Sequence, residues 1–465
     1  MYAALVVVFV IGYLLIALEH PIKIDKSATA LLLGMVMWVL FILGADALPF
    51  VVEKAAEHGY AGHLSDFVNA EILHHMGEIA TTLFFLIGAM TIVELVDVHG
   101  GFSIITDRIT SRSKKKLLWI LCFVTFFLSA ILDNLTTAIV MVMLLRKLVS
   151  EPKERWLYAS MIIIAANAGG AWSPIGDITT IMLWVKGNIS TGAVMMYVLL
   201  PSLAALIVPL IFVTGRLKGQ LGSIEAEVEG ERNHVSAKER NMLFYMGVGG
   251  LIFVPIFKTI THLPPFIGML FSLSILWIVT EMIYNGKALD AQRQYRLPRI
   301  LQRIDTPTIL FFLGILMAVA VLQSTGILGD MANLLAEKVG NVNVINIVLG
   351  FLSSIVDNVP LVAAAQGMYE ILPVEQAQSL SAWDLNFVQD GAFWLLLTYC
   401  AGVGGSMLII GSAAGVVVMG LEKINFGWYL KNISLVAMLG YLAGAAILIV
   451  ELMLFPPTQV LYGIG

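Results

Sequence analysis

An ionisable aspartate lies in the middle of an apolar stretch in Ser129-Ala-Ile-Leu-Asp-Asn-Leu-Thr-Thr137. The same pattern returns in the second half of the chain as Ser353-Ser-Ile-Val-Asp-Asn-Val-Pro360. A carboxylate inside an apolar membrane segment is costly unless it faces protein, water or an ion, so its first interpretation is functional. The recurrence of the Asp-Asn pair, at Asp133 and at Asp357, therefore predicts an internal repeat with a functional site in each half.

The composition is that of a membrane protein. Of the 465 residues, 59% are hydrophobic and 13% are charged, whereas a soluble protein carries about a quarter charged residues. Apolar runs of roughly 17 to 25 residues recur along the chain, each long enough to cross about 30 Å of hydrocarbon as a helix. Because backbone groups in lipid must pair internally, the predicted fold class is an all-α polytopic membrane protein. The run that ends at Leu18 is predicted to be a first span rather than a cleaved signal, since no basic residues precede it.

Nothing in the sequence indicates a cofactor. The two cysteines, Cys122 and Cys400, lie in apolar segments and offer neither a disulfide framework nor the spacing of metal ligands. The Gly-rich stretches lack the Lys-Ser/Thr that a phosphate-binding loop requires. We therefore expect no cofactor and no nucleic-acid partner.

The first Asp-Asn segment, about 117–149, has basic residues on both flanks. It follows the basic stretch 107–116 and ends in a second one at 146–155. Basic loops stay in the cytoplasm, so both ends of the segment are predicted there. The segment must then turn near Asp133 and return as a re-entrant helical hairpin, with arms of about 16 residues, or roughly 24 Å of helix each.

The second Asp-Asn segment, about 342–370, has the opposite charge bias. Lys338 is the only basic residue at 329–341, and the stretch 370–391 contains acids but no Lys or Arg. This hairpin is therefore predicted to enter from outside. Two related units with opposite charge bias are typical of an inverted-topology repeat, whose site lies at the midplane.

Each Asp-Asn segment is followed by a membrane helix that the sequence interrupts. The segment of about 156–185 contains Asn167-Ala-Gly-Gly-Ala-Trp-Ser-Pro-Ile-Gly-Asp177, and the segment of about 391–421 contains Gly402-Val-Gly-Gly-Ser-Met-Leu-Ile-Ile-Gly-Ser412. Glycine weakens a helix and proline removes one of its hydrogen bonds. Both segments are therefore predicted to be discontinuous membrane helices.

These features predict ten full spans and two hairpins, with both termini outside. The four histidines between 58 and 75 are expected to be surface residues of an external loop. The predicted divisions are 1–77 (scaffold spans and external loop), 78–215 (first inverted repeat), 216–240 (cytoplasmic linker), 241–305 (scaffold spans and cytoplasmic loop), 306–455 (second inverted repeat) and 456–465 (tail).

Side-chain oxygens and the free carbonyls of a broken helix are suitable ligands for a small alkali cation. The first predicted site comprises Asp133, Asn134, Thr136, Thr137, Asn167, Ser173, Gly176 and Asp177. The second comprises Asp357, Asn358, Ser406, Gly411 and Ser412. Desolvation raises the pKa of a carboxyl group, so a proton and a cation can compete for it, which is a minimal mechanism for exchange. We expect the first site to be the stronger, because Asp177 corresponds to Ser412 in the repeat.

The same residues also have structural interpretations. Asp133 and Asn134 would form a helix cap or an interhelical hydrogen-bonded pair. Asp177 would cap a half-helix that begins at Ile178, because an acid suits a helix N-terminus. Asn167 would satisfy the backbone of a broken helix.

At these motifs the chain resembles the NhaD-type sodium/proton antiporters, within the ion transporter superfamily that includes arsenite pumps, NhaB-type antiporters and sodium-coupled dicarboxylate carriers. In the dicarboxylate carriers a Ser-Asn-Thr hairpin tip and a Thr-Pro-Ile-Gly helix break bind sodium, and Asp133-Asn134-Leu135-Thr136 and Ser173-Pro174-Ile175-Gly176-Asp177 are similar to them. The resemblance covers nearly the whole chain. It implies two hairpins, two broken helices, a homodimer, Na⁺, Li⁺ and H⁺ as transported ions, a role in pH homeostasis and a location in a bacterial inner membrane.

Three alternatives to cation/proton exchange remain at this point. A carrier of the same fold would move an anion with sodium, although neither motif contains the Lys or Arg that would hold an anion. An intramembrane aspartyl protease is superficially suggested by Ile175-Gly176-Asp177, but it needs Gly where Pro174 stands and paired acids that share a proton. A passive channel would show a flux that ignores an imposed proton gradient.

Overall fold

The computed structural model describes residues 1–17, 19–106, 109, 111, 113–217, 219–220, 235–285, 296–355 and 357–457. In these ranges the chain is helical and forms no β-strand, apart from isolated bridges at Ser113–Gln220 and Leu372–Val388. Eight of the described helices are long and apolar enough to cross a membrane. The chain is thus a multi-pass membrane protein.

The described helices of nine or more residues begin with the scaffold and the first predicted repeat. In chain order they are α1 (Tyr2–Ala17), α2 (Lys26–Gly44), α3 (Pro49–Glu57), α4 (Leu64–Val98), α5 (Lys114–Leu132), α6 (Asn134–Leu148), α7 (Pro152–Ala171), α8 (Ile178–Lys186) and α9 (Thr191–Arg216).

The described helices of nine or more residues continue through the rest of the chain. They are α10 (Ala237–Thr261), α11 (Pro265–Tyr284), α12 (Thr306–Ser324), α13 (Ile327–Lys338), α14 (Val342–Ser353), α15 (Asn358–Met368), α16 (Ala392–Gly404), α17 (Ala413–Glu422) and α18 (Leu435–Leu454).

The first Asp-Asn segment forms two helices, α5 and α6, which meet at Asp133 and contact each other. The arms have 19 and 15 residues rather than about 16 each. At 19 residues α5 is one of the eight helices that are long enough to span a membrane. The second segment forms the shorter helices α14 and α15, with 12 and 11 residues.

Both interrupted segments are broken where the glycines lie. Helix α7 ends at Ala171 and α8 begins at Ile178, while α16 ends at Gly404 and α17 begins at Ala413. In each case the half-helix after the break begins at a capping residue. Asp177 is the N-cap of α8, and Ser412 is the N-cap of α17. A capping side chain accepts a hydrogen bond from a backbone N–H that the first helical turn leaves without a partner.

Two glycines at matching positions bring each broken helix against the preceding helix pair. A Cβ atom at Gly169 of α7 would overlap the backbone of Phe126 in α5. A Cβ atom at Gly404 of α16 would likewise overlap the backbone of Gly350 in α14. Only glycine permits backbones to approach this closely. A close glycine contact therefore packs the helix pair against the broken helix in both halves.

The segment 45–77 differs from the predicted external loop. It contains α3 and the first turns of α4, which begins at Leu64 rather than near residue 78. The expectation that all four histidines lie on the surface is wrong for His75, which is 6% exposed and forms a hydrogen bond of 2.9 Å through Nε2 to Ser324 Oγ. The polar residues of this stretch are tolerated because α4 packs on α12, whose Ser324 also donates to Glu71.

Several predicted connecting segments lie wholly or partly outside the described residues. They are the basic stretch at 107, 108, 110 and 112, most of the linker 216–240, the loop residues 286–295 and the tail residues 458–465.

Candidate functional site

The tip of the first helix pair and the first helix break meet in a buried polar cluster. Asn134 Nδ2 donates to Asp177 Oδ2 at 2.6 Å and to Asn167 Oδ1 at 3.1 Å. Asp177 is 1% exposed, and Asn167 is fully buried. Three residues that the sequence assigns to one site are thus in direct contact, although they come from α6, α7 and the N-terminus of α8.

The two oxygens of the Asp177 carboxylate have different partners. Oδ1 accepts hydrogen bonds from Thr179 N at 2.9 Å and from Thr179 Oγ1 at 2.8 Å, which caps α8. Oδ2 faces Asn134 instead. The capping interpretation is therefore correct for one oxygen, while the other oxygen points into the polar cluster.

Asp133 caps its own helix. Its carboxylate accepts from Thr136 N and from Thr136 Oγ1, both at 2.8 Å. Its φ of 84° lies in the left-handed region, where a non-glycine residue carries about 1–3 kcal/mol of strain that the surrounding structure must offset. Backbone strain of this kind concentrates at functional sites. In the part of the chain that the structure describes, neither Asp133 nor Asp177 has a lysine or arginine partner.

Ser173 and Gly176 support the cluster from the helix break. Ser173 Oγ donates to the carbonyl oxygen of Ala130 at 2.5 Å. A Cβ atom at Gly176 would lie 2.8 Å from the Gly170 backbone and 2.9 Å from the Ser129 carbonyl oxygen. Both residues therefore hold the break against the end of α5.

Two hydroxyl groups near the cluster are buried and have no hydrogen-bond partner among the described residues. They are Thr137 Oγ1 and Thr180 Oγ1. Thr137 is among the predicted site residues, but Thr179 and Thr180 are not. A signal for them exists in the sequence, because Asp177-Ile-Thr-Thr180 resembles Asn134-Leu-Thr-Thr137.

Asn167 joins the two breaks into one network. Its Nδ2 donates to Ser406 Oγ and to Ser412 Oγ, both at 2.9 Å. Ser412 Oγ also accepts from Gly415 N at 3.1 Å and so caps α17. The sequence assigns these two serines to a second site, but the structure places them next to the first.

Asp357 has a partner that the sequence does not indicate. Its Oδ2 lies 3.1 Å from Lys26 Nζ at the start of α2, and its Oδ1 accepts from Val359 N at 3.2 Å. Asn358 follows as the first residue of α15 and is 6% exposed. Lys26 looks like an ordinary loop residue in the sequence because nothing local marks a contact with a residue so far along the chain.

Gly411 occupies the position in the second break that Gly176 occupies in the first. A Cβ atom there would lie 2.6 Å from the Ser354 carbonyl oxygen and 2.7 Å from that of Gly405. The break is thereby held against the end of α14. The two halves share this backbone arrangement while their side chains differ.

A cavity of about 520 Å³ lies between α4, α8, α12 and α15. Its lining combines apolar residues with polar and charged side chains, among them His75, Glu78, Thr82, Lys186, Gln323 and Gln366. The cavity therefore borders both the half-helix that Asp177 caps and the helix that follows Asp357.

Comparison with known proteins identifies the family of the chain. The family model described as a citrate transporter matches residues 13–389. The chain is 32% identical to the Na(+)/H(+) antiporter NhaD of Vibrio cholerae over 95% of its length and 89% of that protein. The chain belongs to the citrate transporter family and, within it, to the NhaD-type group.

Two plant relatives are more similar in sequence than the bacterial NhaD protein. Sodium/proton antiporter 1 of Arabidopsis thaliana is 44% identical over 95% of this chain and 71% of its own length. Sodium/proton antiporter 2 of the same plant is 43% identical over 94% of this chain and 96% of its own length. The similarity thus extends over all the elements that build the polar cluster.

Proposed function

We propose that this NhaD-type protein exchanges Na⁺ for H⁺ across a membrane, with Asp177 as the principal shared carboxylate. The observation that carries the proposal is the position of Asp177 Oδ2, on an acid that is 1% exposed and within 2.6 Å of Asn134 at the junction of a helix tip and a helix break. The names of the relatives, which describe sodium/proton antiporters, support the choice of ions. All of them are transporters, so we propose no enzymatic activity.

The polar cluster can supply oxygen ligands to a small cation. Asn134 directs its amide nitrogen at Asp177 Oδ2 and Asn167 Oδ1. A half-turn of the Asn134 amide exchanges its nitrogen for its oxygen. Three oxygens then face one point, and Na⁺ takes the place of the two N–H groups. The unpartnered hydroxyls of Thr137 and Thr180 are candidates for further ligands.

A proton replaces the cation on the same carboxylate. A protonated Asp177 donates one hydrogen bond and needs no counter-ion, so the buried cluster stays close to neutral with either ion bound. The site then moves across the membrane loaded with Na⁺ in one direction and with H⁺ in the other. Asp133, which directly precedes Asn134 of the cluster, is a second acid that is proposed to take part in this exchange.

The proposed mechanism uses re-entrant hairpins in two inverted repeats. Matching contacts in the two halves support this arrangement. Ser129 Oγ donates to the Ala166 carbonyl oxygen at 2.6 Å, and Ser353 Oγ donates to the Ala401 carbonyl oxygen at 2.8 Å. Transport of Li⁺, a homodimer, an inner-membrane location and external termini stay predictions from the resemblance and the charge pattern.

Proton release from acidified everted vesicles tests the exchange. With the wild-type protein we expect Na⁺ addition to dequench a pH-sensitive dye. Asp177→Asn should abolish the response because an amide cannot exchange a proton for Na⁺. Asp384→Asn is the control, since Asp384 accepts a hydrogen bond from exposed Ser381 and, among the described residues, forms no hydrogen bond with the cluster. A wild-type protein that responds to neither Na⁺ nor Li⁺ would exclude the proposal.

Sodium-coupled anion transport is the second candidate, because the matching family model is described as a citrate transporter. It requires a positive group that is free to hold an anion. Lys26 contacts the second motif, but it is already paired with Asp357. Uptake of radiolabelled citrate in the same vesicles separates the candidates, since only the second predicts uptake that depends on a Na⁺ gradient.

A further inference from the structure

The two helix-pair tips carry the same Asp-Asn motif but different charge. At the first tip, Asp133 caps α6 and Asp177 contacts Asn134, and neither acid has a lysine or arginine partner among the described residues. At the second, Ser412 stands where the first half has Asp177, and Lys26 Nζ lies 3.1 Å from Asp357 Oδ2. The first tip therefore combines two acids, whereas the second combines one acid with one base.

We propose that the ammonium group of Lys26 takes the place of a transported cation at Asp357, so that each chain binds a single exchangeable Na⁺, at the first tip. This inference rests on the proposed function, because it concerns how many of the two Asp-Asn motifs exchange ions. It assigns Lys26 a positioning role that sets the ion stoichiometry.

Several contacts hold the ammonium group at this location. Lys26 Nζ lies 4.6 Å from the centroid of the Phe311 ring, which places a cation over an aromatic face. Glu19 and Asp305 add electrostatic attraction from two further elements. The side chains of Lys26 and Asp357 are 25% and 19% exposed, so the pair is mostly withdrawn from solvent. A partly buried ammonium with these partners is not readily displaced.

The ion pair is unfavourable for Na⁺ at the same carboxylate. A second positive ion at Asp357 would lie within a few ångströms of Lys26 Nζ, where like charges repel strongly in a medium of low dielectric constant. Asp357 also directs its other oxygen to the backbone of α15, since Oδ1 accepts from Val359 N. Both oxygens of this carboxylate are therefore in use.

Equilibrium binding of radiolabelled Na⁺ to the purified full-length protein at mildly alkaline pH tests the inference. We expect one Na⁺ per chain for the wild type. Lys26→Gln should bind two, because Asp357 then has no counter-charge. The double variant Lys26→Gln/Asp357→Asn replaces the pair by two neutral amides that can hydrogen-bond to each other, and it should again bind one. Lys26→Arg keeps the positive charge and should also bind one.

The possible outcomes separate this inference from the proposed function. A wild type that binds no Na⁺ overturns both. A wild type that binds two Na⁺ overturns only the role of Lys26, even if Lys26→Gln does not fold. A folded Lys26→Gln that still binds one Na⁺, or a double variant that binds none, also overturns the role of Lys26. If Lys26 had only a structural role, Lys26→Gln would lower the melting temperature without changing the number of ions bound.

Discussion

Asn167 makes three hydrogen bonds through one amide group. Its Oδ1 accepts from Asn134, and its Nδ2 donates to Ser406 and Ser412. An amide both accepts and donates, so it can bind the tip of α6 and the second helix break at the same time. A buried group that loses such a partner costs about 1–3 kcal/mol. The geometry of the polar cluster therefore depends on this side chain.

We expect Asn167→Ala to raise the Na⁺ concentration for half-maximal exchange by about tenfold, which corresponds to about 1.4 kcal/mol of lost binding free energy. The measurement is a Na⁺ titration of dye dequenching in everted vesicles. Asn346→Ala is the matched control, because Asn346 is also fully buried but donates to Val342 of its own helix. An unchanged titration for Asn167→Ala would show that the amide does not organise the site.

The repeated motif predicts some of these residues and not others. Asp133, Asn134 and Asp177 can be assigned from the sequence because polar groups in apolar runs at helix breaks have few other uses. The pairing of Lys26 with Asp357 depends on how α2 packs near α15, and no local pattern encodes that contact. The sequence does not predict Thr180 for another reason. The hydroxyl of a threonine in a membrane helix usually forms a hydrogen bond to the backbone of its own helix.

Two matching sets of contacts join the helices of the two halves, one at the C-terminal end of each broken helix. At one end, Glu422 at the end of α17 accepts from Arg146 Nε at 2.6 Å and from Arg155 Nε at 2.8 Å. These arginines lie at the end of α6 and the start of α7. Each broken helix thus ends against the helix pair and the next helix of the other half.

At the other end, the residues after α8 make the corresponding contacts. Asn188 Oδ1 accepts from Gln366 Nε2 of α15 at 2.6 Å, and Asp390 before α16 accepts from Ser190 N at 2.5 Å. This contact uses amides and a backbone N–H where the first uses arginines.

We expect Glu422→Gln to destabilise the protein by about 3 kcal/mol. Breaking a buried ion pair costs about 3–5 kcal/mol, and the lower end applies because the Arg146 side chain is 43% exposed. Thermal unfolding in detergent measures the change. Glu154→Gln is the control, since the Glu154 side chain is 22% exposed whereas that of Glu422 is fully buried, and a solvent-exposed ion pair contributes at most about 1 kcal/mol. Equal destabilisation by both variants would contradict this account.

The sequence predicts helix breaks better than helix ends. Gly, Pro and Asp177 indicate the break before α8 because they remove helical hydrogen bonds and supply a cap. The early start of α4 at Leu64 is missed because Glu71 and His75 look like loop residues. Their polar groups are satisfied by Lys54 and Ser324, which come from other elements.

Across the whole molecule, similar backbones carry dissimilar side chains. The glycine contacts of α5 with α7 and of α14 with α16 match, as do the serine contacts at Ser129 and Ser353. The acids are concentrated in the first half, whereas the second half contributes serines and the lysine-paired Asp357. An inverted repeat with this asymmetry would let one half bind the ion while the other half completes the cluster.

The predicted opposite orientation of the two halves is directly testable. Ser150 follows the first helix pair and Ser381 follows the second, and both are exposed. If the repeats are inverted, Ser150→Cys should react with an impermeant maleimide only in everted vesicles, and Ser381→Cys only in intact cells. The native Cys122 and Cys400 are fully buried, so they add little background. Reaction of both variants from one face would show that the halves are parallel, and the charge bias of the flanking loops would then need another cause.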